Sequence, residues 1–392
     1  MAASEAIGIQ GMHSFHSYVR DFERSRRFYE DAMGWVETWR AGPELMARSG
    51  QRCSVFQAGE VRVAVSAPVA GGPVGRAARW LRRHPEGIGS LTFSVDDIDA
   101  AWAALTSHEA TPITRIEVNA TNDGGRWRQF LVTTAIGDVA FRFVQRQDTD
   151  VFAPGFERVA PERAAAGLGY RRVDHVTCNA QTMASVKLWL QHVMGMEQCW
   201  DIEFHTEDVR AGGDKGTGLR SVVMWDPRSG LKFPINEPLA PFFKEGQINR
   251  FIEDNSGAGV QHIAIEVEDI VGQVRALRER AVRFLRTPHT YYQQAPGRLA
   301  ANGVNVDRIA HAMNVLEPLG LLIDGCPVDN YLVQIFLEDA MTLYGEPDAG
   351  PFFYELIQRC GDQGFGGGNF RALFEAIERA QDEAPEGTGD AA

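Results

Sequence analysis

The chain has 392 residues, 44% of them hydrophobic, and its 52 acidic against 39 basic side chains give a formal charge of −13. That is core material for two or three domains and the wrong sign for a nucleic-acid or acidic-lipid surface, so neither partner is expected. No run approaches about 18 uninterrupted apolar residues, and the opening MAASEAIGIQ holds an acid where an export signal holds bases, so no membrane span is expected and a cytoplasmic protein is.

In chain order, the first element is HSFHSYVRDFERSRRFYEDAMGW at 13–35, a strand running into a helix that ends in Met-Gly. IGSLTFSVDDIDAAWAAL, from residue 88, alternates as a strand, meets an acidic helix start and continues with apolar residues at helical spacing. VAFRFVQR at 139–146 reads as a closing strand. The stretch DTDVFAPGFERVAPERAAAGLG at 148–169 is rich in Pro, Gly and charge and predicts a linker. Beyond it the three signals recur. DHVTCNAQTMASVKLWLQHVMGM at 174–196 matches the first within two residues, VQHIAIEVEDIVGQVRAL from 260 matches the second without a gap, and FYELIQRC from 353 matches the third. NFRALFEAIERAQ from 369 predicts a C-terminal helix with Asn369 as its N-cap, and EAPEGTGDAA a disordered tail.

Each half therefore reads β-α-β-β-β, then again. Self-similar, strand-rich units shorter than a domain predict paired modules, each contributing half of a curved, barrel-like mixed sheet with helices outside. The expected class is α+β, with one domain over 1–150, a linker over 151–170, a second domain over 171–384 and a tail over 385–392.

Three polar residues interrupt apolar strands of the second half: His175 in VDHVTC, His262 in VQHIAI and Glu355 in FFYELIQR. A lone strand histidine is more often a core residue whose hydrogen bonds are satisfied than a ligand. Here, though, three polar anomalies fall in three corresponding strands, and the repeat supplies an internal control: the first half aligns His16, Ser90 and Arg142 with them. A guanidinium repels a cation where a carboxylate binds one, so only the second half can hold a metal. Two imidazoles and one carboxylate with adjacent positions open suit non-heme iron(II), although zinc or manganese could occupy the same set.

Other motifs fail on context. HTED at 205–208 sits in a glycine-rich connection that predicts solvated charge, and GFGGGN at 364–369 lacks both the Gly-Lys-Ser/Thr ending and a following βαβ unit. G-x-S-x-G and H-E-x-x-H are absent, which argues against a serine hydrolase or a zincin. The five cysteines, Cys53, Cys178, Cys199, Cys326 and Cys360, contain no C-x-x-C pair and predict reduced thiols.

Residues 174 to about 380 resemble the 4-hydroxyphenylpyruvate dioxygenase family of the vicinal oxygen chelate superfamily. The motifs that carry the resemblance are DHV at 174, LRSVV at 219, PINEP at 234, GAGVQHIAI at 257, TPHTYY at 287, LVQIF at 332, FFYELIQR at 352 and QGFGGGNFRALFEAIE at 363, all in family order. The first half, with RRHPEGIGSLTFSVDDI, resembles the family's metal-free domain more loosely. The resemblance implies two tandem vicinal-oxygen-chelate domains and one Fe(II) per subunit held by His175, His262 and Glu355. It also implies oxidative decarboxylation of 4-hydroxyphenylpyruvate with O2, ring hydroxylation and side-chain migration to homogentisate and CO2, within tyrosine catabolism.

By the same resemblance Ser221, Asn236, Gln261 and Gln334 are expected to serve the chemistry, while Gln247, Phe336, Phe353, Phe365, Asn369 and Phe370 line the substrate site. Phe365 and Phe370, on a glycine-rich stretch, are expected to close over the pocket, an expectation that fails if their helix packs far from the metal. A homo-oligomer, dimer or tetramer, is expected. The competing readings are 4-hydroxymandelate synthase, against which PINEP and Phe370 argue, and a non-catalytic small-molecule binder of the same superfamily.

Overall fold

The computed structural model describes residues 3–160, 166–205, 217–239, 244, 246–287, 289–305, 309–326 and 330–371. The first half contributes strands β1 (Ile9–Tyr18), β2 (Val36–Ala41), β3 (Gln51–Ala58), β4 (Val61–Pro68), β5 (Gly87–Val95), β6 (Glu117–Ala120), β7 (Arg126–Thr133), β8 (Ala140–Gln147) and β9 (Phe156–Arg158). The second contributes β10 (Tyr170–Asn179), β11 (Glu197–His205), β12 (Gly218–Trp225), β13 (Lys232–Leu239), β14 (Gly259–Val267), β15 (Leu322–Cys326), β16 (Asn330–Phe336) and β17 (Phe353–Cys360).

The sheet orders are β6-β7-β8-β5-β1-β4-β3-β2-β9 and β11-β12-β13-β10-β14-β17-β16-β15. In both, two four-strand modules, the first sheet adding β9 at the edge of one, meet through one antiparallel pair, β1 with β5 and β10 with β14, and each of these strands is parallel to the last strand of its own four. The duplicated β-α-β-β-β reading and the α+β class are thus the architecture.

Local chemistry explains the repeats. The acidic helix starts are N-caps: Asp97 Oδ1 accepts from the backbone N–H groups of Asp99 and Ala100 ahead of the helix Ile98–Ser107, and Asp269 Oδ1 accepts from that of Gly272 ahead of the helix Ile270–Glu279. The Met-Gly pairs end the other helical stretches because Gly34 and Gly195 adopt φ of +71° and +67°, a region that disfavours side chains. A Cβ on Gly34 would also stand 2.7 Å from that of Ala166.

One continuous apolar core spans both halves, with helices on one face of each sheet. Across the junction Phe141 meets Trp189 at 5.5 Å between ring centroids, and the Tyr29 and Tyr354 hydroxyls lie 2.9 Å apart. The other, inner face of each sheet carries the polar residues.

Three expectations need correction. The segment between the halves contains β9, which pairs with β2, and it buries Val151, Phe152 and Phe156, so it is not a bare linker. Asn369 lies inside a helix that begins at residue 367 and is not its cap; residues 372–392, including the expected tail, fall outside the described residues. Finally, register places Ser14, not His16, at the position of His175. Ser14 pairs with Thr92 and Thr92 with Arg142, as His175 pairs with Ala264 and Ala264 with Glu355. His16 corresponds to Thr177, each facing the strand position of Ser90 or His262.

Candidate metal centre

His175, His262 and Glu355 sit on β10, β14 and β17, three adjacent central strands, so register alone brings their side chains to one face. One ligand atom from each lies within 4.8 Å of the others, and all three residues are buried. The Nε2 atoms of both imidazoles stand 3.3 Å from the same Glu355 oxygen, Oε2.

Each ring is held from behind through Nδ1. That of His175 lies 2.8 Å from Asp174 Oδ1, and that of His262 lies 3.1 Å from Gln261 Oε1. Both partners accept, so each ring donates from Nδ1 and turns the Nε2 lone pair inward, the tautomer a metal requires. Gln261 reaches the ring because the β10–β14 ladder shifts register there: Thr177 faces His262, Cys178 faces Val260, and Gln261 bulges between.

The electrostatics follow from these contacts. Burial would raise the Glu355 pKa, but the two facing histidines outweigh it and hold it down to about 2, so the carboxylate is ionised. The histidines shift in opposite directions for one visible reason. Burial opposes protonation of both, but His175 has two carboxylates, Glu355 and Asp174, and rises, whereas His262 has Glu355 and only an amide behind it, and falls. Two imidazole nitrogens and one ionised carboxylate oxygen converging on one point fit a divalent first-row cation.

Behind the ligands runs a polar scaffold. Arg359 grips Asp174 with bonds of 2.5 and 2.7 Å, and its Nη1 donates to the carbonyls of Asp362 and Gly364, both at 2.9 Å. Gln334 Nε2 donates to Glu355 Oε1 at 2.8 Å, while its own oxygen accepts from Asn369 Nδ2 at 2.9 Å. The other end of Asn369 meets the Tyr291 hydroxyl at 2.5 Å.

Aromatic rings enclose the centre. Phe353 stacks on His262 at 4.9 Å, Phe336 meets the same ring edge-on at 6.0 Å, and Phe365 stands 5.2 Å from the His175 ring. Phe370 lies one layer out, 5.8 Å from Trp200, which itself meets Phe365. The start of the C-terminal helix therefore packs at the centre and not away from it.

A polar row lies beside the ligands. Asn179, on the His175 face of β10, pairs with Asn236, and Asn236 with Ser221; Asn236 Nδ2 donates to Asn179 Oδ1 at 3.0 Å. Ser221 Oγ, Asn236 Oδ1 and Asn179 Nδ2 are buried with no protein partner among the described residues. Gln247 is buried at the first residue of the helix Gln247–Asp254. Sequence reasoning missed Asp174, Asn179 and Arg359. Asn179 had a signal, since it stands four residues beyond His175 and strand alternation puts both on one face. Of HTED, only His205 lies within the described residues, at the end of β11.

A model of the Glyoxalase/Bleomycin resistance protein/Dioxygenase superfamily matches residues 11–126 and 172–296. The chain is 28% identical over 402 aligned positions to 4-hydroxyphenylpyruvate dioxygenase of Aspergillus fumigatus, covering 97% of this chain and 94% of that one. It is 39% identical over 314 positions to 4-hydroxyphenylpyruvate dioxygenase of Sus scrofa, covering 77% and 74%. Among solved structures, a triple mutant of 4-hydroxymandelate synthase from Streptomyces coelicolor matches with a TM-score of 0.75 at 27% identity, covering 95% of this chain and 99% of that one.

Proposed function

Since the chain belongs to the 4-hydroxyphenylpyruvate dioxygenase family, we propose that it is a non-heme enzyme with one Fe(II) per subunit, held by His175, His262 and Glu355, that converts 4-hydroxyphenylpyruvate and O2 to homogentisate and CO2. The observation that carries the metal assignment is the convergence of both Nε2 atoms on one buried carboxylate oxygen. When bound, the iron supplies the redox chemistry with dioxygen that oxidative decarboxylation and ring hydroxylation need.

The chain's own residues do the rest. Asp174 and Gln261 fix the two ring orientations, and Gln334 fixes the carboxylate through Oε1. Three ligands leave coordination positions for the oxo-acid end of the substrate and for dioxygen. Ser221, Asn236 and Asn179 offer both donors and acceptors to the substrate's oxygens, which would satisfy the buried polar atoms of that row. Phe336, Phe353 and Phe365 surround the aromatic ring with apolar surface and exclude water from the reacting centre.

The structural match to a 4-hydroxymandelate synthase favours one competing reading, oxidation at the benzylic carbon of the same substrate. Incubation of the iron-loaded protein with 4-hydroxyphenylpyruvate under oxygen decides: homogentisate is expected, and 4-hydroxymandelate would assign the synthase activity instead. A lack of Fe(II)-dependent oxygen uptake would leave only a non-catalytic binder. A cytoplasmic dimer or tetramer is part of the same proposal, its assembly tested by sedimentation; among the described residues no helix is long and apolar enough to cross a membrane.

A further inference from the structure

The inner face of the first sheet occupies the place that the metal centre has in the second, with the opposite charge. Ser14, Ser90 and Arg142 stand where His175, His262 and Glu355 stand in the repeat. Among the described residues Arg142 forms no ion pair; its one side-chain hydrogen bond there is Nη1 to Gln129 Oε1 at 3.5 Å, and its Nε is buried without a partner. Arg76 also lacks an ion pair among the described residues: its Nη2 donates to the Gly89 carbonyl at 3.1 Å, its guanidinium lies 6.0 Å from the centre of the Tyr18 ring, and its Nε is buried and without a hydrogen-bond partner.

The nearby acids are engaged elsewhere. Glu117 accepts from Gln129 Nε2 at 2.7 Å, and Glu37 accepts from Arg40 and from Ser54. Burial lowers the Arg142 pKa. It also lowers that of His16 to about 3, with Arg142 and then Arg76 adding to the effect, so both guanidinium groups act on one neutral imidazole. That imidazole's Nε2 lies 2.8 Å from Ser66 Oγ, which also accepts from Gln51 Nε2 at 3.1 Å. Water can satisfy the orphaned N–H groups but cannot neutralise the Arg142 charge, which packing draws out of bulk solvent beside the half-buried Arg76, and an uncompensated buried charge is among the more costly features a fold can carry. A guanidinium fork matches the two oxygens of a carboxylate or phosphate.

We propose that the first half binds a small oxyanion, a carboxylate or a phosphate, between the guanidinium groups of Arg142 and Arg76, with His16 and Ser66 at its edge.

The test is calorimetric titration of acetate, and separately of inorganic phosphate, into the full-length iron-loaded protein in a zwitterionic buffer at constant ionic strength. Wild type, Arg142→Met, Arg76→Met and His262→Ala are compared, and the tighter of the two anions identifies the class. Wild type and His262→Ala are expected to bind alike, while each arginine variant weakens binding by roughly tenfold or more, the worth of a charge-assisted hydrogen bond. Melting temperature is expected to climb with anion concentration in wild type and to stay flat in Arg142→Met, which should melt higher than wild type in anion-free buffer because it no longer buries an unpaired charge. Should Arg142→Met not fold, Arg76→Met carries the same comparison. The proposal is overturned if wild type takes up no anion at millimolar concentration, if the foldable arginine variants bind as wild type does, or if binding is lost in His262→Ala, which would place the anion at the metal centre.

Discussion

Asp174→Asn separates what holds the metal from what holds the fold. The Asp174 carboxylate is buried, accepts from His175 Nδ1 at 2.8 Å and takes two bonds from Arg359 at 2.5 and 2.7 Å. Asparagine keeps the shape but removes the charge that compensates Arg359 and turns one acceptor into a donor. Breaking one side of a buried pair costs about 3–5 kcal/mol, so the variant should lose that much in chemical denaturation of the metal-free protein. Exchanging the carboxylate behind a histidine ligand for an amide weakens that hydrogen bond and lowers the ring's basicity, so metal affinity should fall by roughly 10–100-fold, read as Fe(II) competition against a chromophoric chelator.

The two effects part in a double variant. Asp174→Leu with Arg359→Met removes both buried charges, and exchanging an ion pair for apolar groups of similar volume is often neutral, so most of the stability should return. Iron affinity should stay low, because the His175 ring then has no acceptor at Nδ1. Wild-type iron affinity in Asp174→Asn, or recovery of both quantities in the double variant, would refute the reasoning and leave Asp174 a purely structural residue.

Asn236→Leu withdraws one member of the polar row and leaves Asn179 Oδ1 without its donor; KM for 4-hydroxyphenylpyruvate should rise roughly tenfold, and an unchanged KM would remove Asn236 from the substrate site. Phe365→Ala opens the centre to water beside His175, so oxygen consumed should exceed homogentisate formed; a ratio of one would show that this ring does not guard the chemistry. His16 gives a pH dependence. Its folded pKa of about 3 lies below the unfolded 6.5, so between those values the unfolded chain binds a proton that the folded chain refuses. Its contribution is therefore complete above pH 6.5 and is lost as pH falls towards 3, the loss reaching about 2 kcal/mol at pH 5 in anion-free buffer. His16→Gln should flatten this part of the stability curve, and a slope equal to wild type would show that His16 does not carry it.

Much of the fold was legible because the chain states it twice. The Met-Gly endings and the acidic helix starts recur, and both are local devices, a left-handed glycine and an N-cap, whose physics lies within a few residues. The cluster of His175, His262 and Glu355 was legible because a polar residue within a buried strand is conspicuous. His16 was misaligned for the same reason: the imidazole drew the match, whereas the Met-Gly spacing already places Ser14 opposite His175. The short strand β9 was hidden among Pro, Gly and charge, since its pairing partner β2 lies more than a hundred residues back. Arg359 could not be read at all, because its bond to Asp174 joins residues 185 apart and an arginine near the end of a strand otherwise signals only solvent.

The two sheets together show which part of the site belongs to the fold. Equal topology puts equivalent positions on the inner face of both halves, yet one half places two imidazoles and a carboxylate there and the other two serines and a guanidinium. The backbone imposes neither chemistry; it supplies three adjacent central strands whose inward-facing side chains meet at one point. What makes the second half competent for a metal is the layer behind those three positions, Asp174 with Arg359, Gln261 in its bulge and Gln334 with Asn369, because these fix each ligand atom before any ion arrives. Among the described residues the first half has no such layer around Arg142, whose side chain has one hydrogen bond, to Gln129, and no ion pair. Installing Glu at 142 and His at 14 and 90 would reproduce the ligand types without their orientation, so metal affinity in such a triple variant should fall well short of that at His175, His262 and Glu355.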